Sequence, residues 1–102
     1  MGRTFTMVTV GLLVTMTAKP GKELELADFL RQALSVAQAE PDTAAWFAIR
    51  LDDMSFGVFE VFGGQAGRSA HLVAANALVS QAEGLLASPP EMKPVDVLAA
   101  KL

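Results

Sequence analysis

The side chains suited to chemistry in this sequence are few. His71 is the only histidine and Trp46 the only tryptophan, and there is neither cysteine nor tyrosine. An imidazole titrates near neutrality and can serve as general base or acid. Position 71 falls on the apolar stripe of a predicted helix, where a histidine equally well sits half-buried and hydrogen-bonded into a core. Trp46 and Arg50 share one parity of a predicted strand, and Glu60 lies on the next strand across a hairpin. One reading makes Trp46 core and pairs Arg50 with Glu60 across the strands, for ~0.2–1 kcal/mol. The other makes Trp46 an aromatic wall, Arg50 an anion stabiliser and Glu60 the group that orients a histidine.

Other chemistries find less support. One histidine without cysteine gives no metal site, and carboxylates alone around it are a weak transition-metal set. The run Gly63-Gly64-Gln65-Ala66-Gly67-Arg68 stands between a strand and a helix but fits neither GxGxxG nor GxxxxGK[ST], so it reads as a tight loop. Asp52-Asp53 is turn chemistry, solvated rather than catalytic. No Ser-His-Asp spacing is present.

The elements that must position these residues follow from periodicity. From Phe5 to Ala18 one parity holds Val8, Val10, Leu12, Val14 and Met16, and the other is mixed, which predicts a long strand covered on both faces. Its β-branched content and interrupting threonines favour a strand over the h-region of a signal peptide, and it is too short to span a bilayer as a helix. After Pro20-Gly21, Leu26, Phe29, Leu30, Ala33, Leu34 and Ala37 recur at helical spacing, with Glu23, Glu25 and Asp28 at the positive end of the dipole and Glu40-Pro41 closing the segment. Ala44–Leu51 and Phe56–Phe62, joined by Asp52-Asp53-Met54-Ser55, predict a hairpin. A second helix is expected over 66–87, its apolar stripe running through His71, Ala75, Leu78, Val79, Ala82, Leu85 and Leu86, with Asn76 or Gly84 as points of division and Pro89-Pro90 as its stop. Lys93–Leu102 is the expected last strand. The order is βαββαβ, a ferredoxin-like α+β fold with an antiparallel sheet and its helices on one face, in one domain over residues 1–102.

Composition sets the partners. The chain has 102 residues, 52% hydrophobic and 19% charged, with a net charge of −3 and eight scattered basic residues. There is no cationic stripe for nucleic acid and no membrane span, and the lack of cysteine fits the cytoplasm. The apolar excess is more than one small core hides, so a partner or an apolar pocket must take it.

The run Val14–Asp28 (VTMTAKPGKELELAD), Glu40-Pro41-Asp42-Thr43 followed by Trp46, and Phe59-Glu60-Val61-Phe62 with Ala70-His71 eleven residues after Glu60 resemble the antibiotic biosynthesis monooxygenase (ABM) family over nearly the whole chain. That resemblance implies a dimeric α/β barrel, in which two ferredoxin-like subunits pack their sheets face to face. It also implies a cofactor-free monooxygenase acting on a quinol- or anthrone-like aromatic molecule. Glu60 and His71 match family positions, and Trp46 looks like its aromatic position near the start of the second strand. The chain departs from the family in having no tyrosine. It also lacks the first-strand asparagine and the later second-helix histidine of the haem-degrading branch.

Together these considerations give His71, Arg50 and Glu60 as catalytic candidates, and Trp46, Phe59, Phe62 and Asn76, the only asparagine, as substrate-binding ones. The expected partners are a second copy of the chain and an apolar aromatic small molecule, with no cofactor and no metal. The alternative is a non-catalytic dimeric module of the same fold that binds a small ligand. A closed twofold dimer would cover the second sheet face and should bury well over roughly 2,000 Å².

Overall fold

The computed structural model describes residues 9–102, with positions 67, 70, 71 and 74 described by backbone alone. The elements are β1 (Val10–Thr17), α1 (Glu23–Gln38), β2 (Thr43–Arg50), β3 (Ser55–Phe62), α2 (Gln65–Ala82), a 3₁₀ turn (Glu83–Leu85) and β4 (Glu91–Asp96). The four strands form one antiparallel sheet in the order β2-β3-β1-β4. This is the expected ferredoxin-like βαββαβ arrangement.

Because side chains alternate along a strand, register fixes which residues share a face. Leu12 lies opposite Glu60, Val14 opposite Val58 and Met16 opposite Phe56, while Trp46 and Ala48 of β2 oppose Glu60 and Val58. These residues form the face that the helices cover. Its core holds Leu12, Val14, Phe56, Val58 and Phe62 from the sheet, with Leu26, Ala27 and Leu30 from α1 and Ala82 at the end of α2. The opposite face carries Leu13, Phe47, Ile49, Phe59 and Val95. There Phe47 is 53% exposed and Ile49 42%.

Local chemistry explains the boundaries. Gly21 has φ +83, where a side chain would be strained, and its amide donates to the Glu23 carboxylate at 3.3 Å as α1 begins. In the hairpin turn, Asp52 Oδ1 accepts the amides of Met54 at 3.0 Å and Ser55 at 2.9 Å. Those bonds, the Met54 amide first, hold the Asp52 carboxyl below its usual range.

Three expected boundaries move. The second helix ends at Ala82 rather than 87 and tightens into the 3₁₀ turn at Gly84, with no break at Asn76. Leu86, expected on the helix, instead bridges Ala18, and the Ala87 amide donates to Thr17 O at 2.9 Å, so strand-like pairing replaces the last helical turn. The last strand runs Glu91–Asp96 rather than 93–102; Val97 N still reaches Thr9 O at 2.9 Å, but Leu98 is 96% exposed. Pro94 is tolerated there because β4 is an edge strand and its outer side needs no donor. Of the strand expected over Phe5–Ala18, residues 5–8 lie outside the described residues.

Candidate active site

A cleft opens between the helix-covered sheet face and the two helices. Its sheet wall is Trp46 of β2, Val58 and Glu60 of β3, Val14 and Met16 of β1, and Met92 of β4. Phe29, Leu30 and Ala33 of α1 and Ala75, Leu78 and Val79 of α2 complete it, each set at three- and four-residue spacing. The cleft holds about 60 Å³, and about 470 Å³ when its open mouth is included.

Glu60 is the chemically distinctive group in this wall. It is 1% exposed, and the other described lining residues are apolar or aromatic. Burying a carboxyl among hydrocarbon is costly, so a fold that only needed a strand residue here would use valine or leucine. Trp46 is its direct cross-strand partner, which sets an indole beside the carboxyl.

The remaining candidates divide. Position 71 lies in the first half of α2, one helical turn before Ala75, and its side chain lies outside the described residues. Arg50 is not beside Glu60. The register pairs Glu60 with Trp46 and Arg50 with Phe56, so the cross-strand ion pair considered from the sequence does not form. Arg50 instead lies 5.3 Å from the centre of the Phe56 ring, roughly 13 Å along β2 from Trp46. It borders a second cleft with Arg31, Ala48 and Ile49, and Leu30 lines both clefts. Phe59 has the opposite parity to Glu60 and sits on the uncovered face. Phe62 has the right parity but is fully buried in the core. Asn76 is exposed on α2, one position past the stripe that carries Ala75.

Sequence reasoning passed over Met16, Met92 and Arg68. Met16 stands on the apolar parity of β1 with nothing to set it apart from its neighbours; Met92 precedes the expected start of its strand. Arg68 stands in the glycine-rich run that reads from the sequence as a tight loop. Its Nη1 donates to Gly11 O at 3.2 Å and Val95 O at 3.3 Å, and its Nη2 to Gln65 Oε1 at 3.0 Å. This guanidinium ties the first turn of α2 to the backbones of β1 and β4.

Solved structures share this architecture. A monooxygenase of Streptomyces coelicolor, in complex with the ligand nanaomycin D, superposes with a TM-score of 0.77 at 14% identity, over 95% of this chain and 94% of that one. A Nitrosomonas europaea protein put forward as an antibiotic biosynthesis monooxygenase gives 0.78 at 16% identity, over 88% and 99%. The chain has the antibiotic biosynthesis monooxygenase fold. At these identities the likeness concerns the ABM fold alone. A second Nitrosomonas europaea protein, of unknown function, is 50% identical with a TM-score of 0.89, over 94% of this chain and 95% of that one. The chain belongs to one family with that protein. No family model matches the sequence, and no curated protein matches it. Among the described residues no helix is long and apolar enough to cross a membrane.

Proposed function

We propose that this protein is a cofactor-independent monooxygenase that oxidises a quinol-type aromatic molecule with O2 in the cleft beside Glu60. The carrying observation is a carboxyl group 1% exposed in a cleft whose other described lining residues are apolar or aromatic, directly opposite the only tryptophan. The fold shared with the Streptomyces coelicolor monooxygenase supports the reaction class.

In this reading Trp46 packs against the substrate ring and His71, oriented by Glu60, takes a phenolic proton. The resulting anion is electron-rich enough to reduce O2 directly. One oxygen atom enters the ring, giving a hydroxyquinone, and the other leaves as water. A hydroquinone and O2 thus balance a hydroxyquinone and one water, with all electrons supplied by the substrate. Oxygen uptake with a panel of hydroquinones tests the reading. Glu60→Gln should lower kcat about 10²-fold, and equal rates for wild type and His71→Ala would remove His71 from the mechanism.

The protein acts, in this proposal, as a cytoplasmic homodimer of one domain per chain. Phe47 and Ile49 on the uncovered sheet face support the assembly, since an apolar sheet face of this kind needs a cover. The placement of Arg50 outside the cleft favours a second reading, a dimeric module that binds the same ligand without turnover. Ligand binding with no oxygen uptake across the panel would select it.

A further inference from the structure

We propose that Met16 and Met92 set the size limit of the cleft, and that its ligand is a neutral single-ring molecule bearing an O–H or N–H donor. This rests on reading the cleft as a substrate pocket and narrows what that pocket accepts.

Size comes first. The cleft holds about 60 Å³. A cavity of ~150 Å³ lined by apolar side chains is the room that takes a benzene ring. The cleft is open at its mouth, so enclosing even one ring between sheet and helices requires part of the wall to yield. Val14 and Val58 are buried and β-branched, held between neighbouring strands. Leu30 and Ala33 are buried and fix α1 to the sheet. Met16 and Met92 are only partly buried, are unbranched and have three rotatable bonds each. They sit on β1 and β4, while Trp46 and Glu60 sit on β2 and β3, so withdrawing the two thioethers lengthens the cleft along the sheet. That movement admits one ring. A fused three-ring system would have to displace α1.

Polarity follows from the same wall. Glu60 is the sole charged residue among the described residues lining the cleft, and the arginines of the neighbouring cleft lie beyond Leu30. A ligand carboxylate would face the Glu60 carboxyl with no cation among the described lining residues to neutralise it. A carboxylate offers about four acceptor sites, so Glu60 can accept a hydrogen bond from a ligand hydroxyl in addition to those it makes within the protein.

Titration calorimetry of the full chain with phenol, 2-naphthol, 2-anthrol and benzoate tests this, with quenching of Trp46 as the reporter that phenol occupies the cleft. Simple apolar transfer would strengthen binding with every added ring. The expected result is the reverse, with 2-anthrol at least ten-fold weaker than phenol and benzoate at least ten-fold weaker again. Met16→Ala/Met92→Ala should narrow the phenol-to-anthrol gap at least ten-fold, while Met16→Leu/Met92→Leu should keep most of it. Affinity rising with ring number in the wild type would overturn the size limit and leave the pocket reading standing. Benzoate binding as tightly as phenol would overturn the neutral-donor requirement. No binding by any ring would overturn both this inference and the pocket reading beneath it.

Discussion

The two faces of this sheet are built from the same strands but solve different problems. On the helix-covered face Leu12, Phe62 and Glu60 are essentially inaccessible, and the two helices leave clefts between their side chains and the sheet. On the other face Phe47 and Ile49 stand open, with Phe59 and Leu13 half-buried beside them. A helix can cover a sheet and leave a cleft between its side chains, whereas a bare apolar face calls for another flat surface. In the function proposed above, the chain keeps its chemistry on the face it covers itself and offers the other for association.

The largest test strikes the open face. Phe47→Asp with Ile49→Asp places two charges where a second sheet is proposed to pack. Loss of an obligate interface should remove the subunit's stability with it. Wild type should scatter light as twice the chain mass of 10.8 kDa at low micromolar concentration, and the variant should lose its cooperative melt. A folded wild-type monomer would break the comparison at its root.

A finer contrast uses two adjacent residues of β1. Leu12 points into the covered core and is 0% exposed, so Leu12→Ala should cost about 2–5 kcal/mol at any protein concentration. Leu13 points to the open face, so in the proposed dimer Leu13→Ala weakens the seam between subunits. Because folding would be coupled to association there, the urea midpoints of wild type and both variants should fall together on dilution. Midpoints that do not move with concentration would deny the open face its role.

Gly11 probes how flat that open face must be. A Cβ there would come within 2.9 Å of Glu60 O and 3.2 Å of both Phe59 Cε1 and Val95 Cγ2. The bare glycine lets the Phe59 ring lie across β1. Gly11→Ala should cost about 1–3 kcal/mol through overpacking, measured by urea unfolding. A neutral result would mean that the β1–β3 backbones shift as readily as the Phe59 ring moves aside.

Much of this was legible in the sequence because it rests on period. The alternation in β1 and the three-and-four spacing of α1 are set by backbone geometry, so both elements and their buried faces followed. The place of Glu60 beside Trp46 depended on hairpin register, which the turn fixes and periodicity does not. That is why Arg50 was grouped with Glu60 although it shares a parity with Trp46 four residues further along. Phe59 was misplaced by type: an aromatic next to the key carboxylate must, in a strand, face away from it. The last strand was set too late because its bounds, Glu91–Asp96, are fixed by pairing with β1 and not by its own pattern.

The smallest expected effect lies in the turn that sets this register. Asp52 Oδ1 accepts two amides, from Met54 and Ser55, and these bonds favour the ionised form, so its carboxyl is held below the ordinary value. A group whose folded value is depressed contributes stability above its unfolded value, ~3.9, and loses it as pH falls through the folded one. The carboxylate is fully exposed, so water and salt screen it and the effect is slight. Asp52→Ala should therefore lower the urea midpoint slightly at pH 6, and the difference from wild type should shrink as pH falls below about 3.9. A difference unchanged between pH 6 and pH 2.5 would mean that the aspartate acts on the turn through its shape and not its charge. The register of the open face relative to the cleft would then owe nothing to this carboxylate's ionisation.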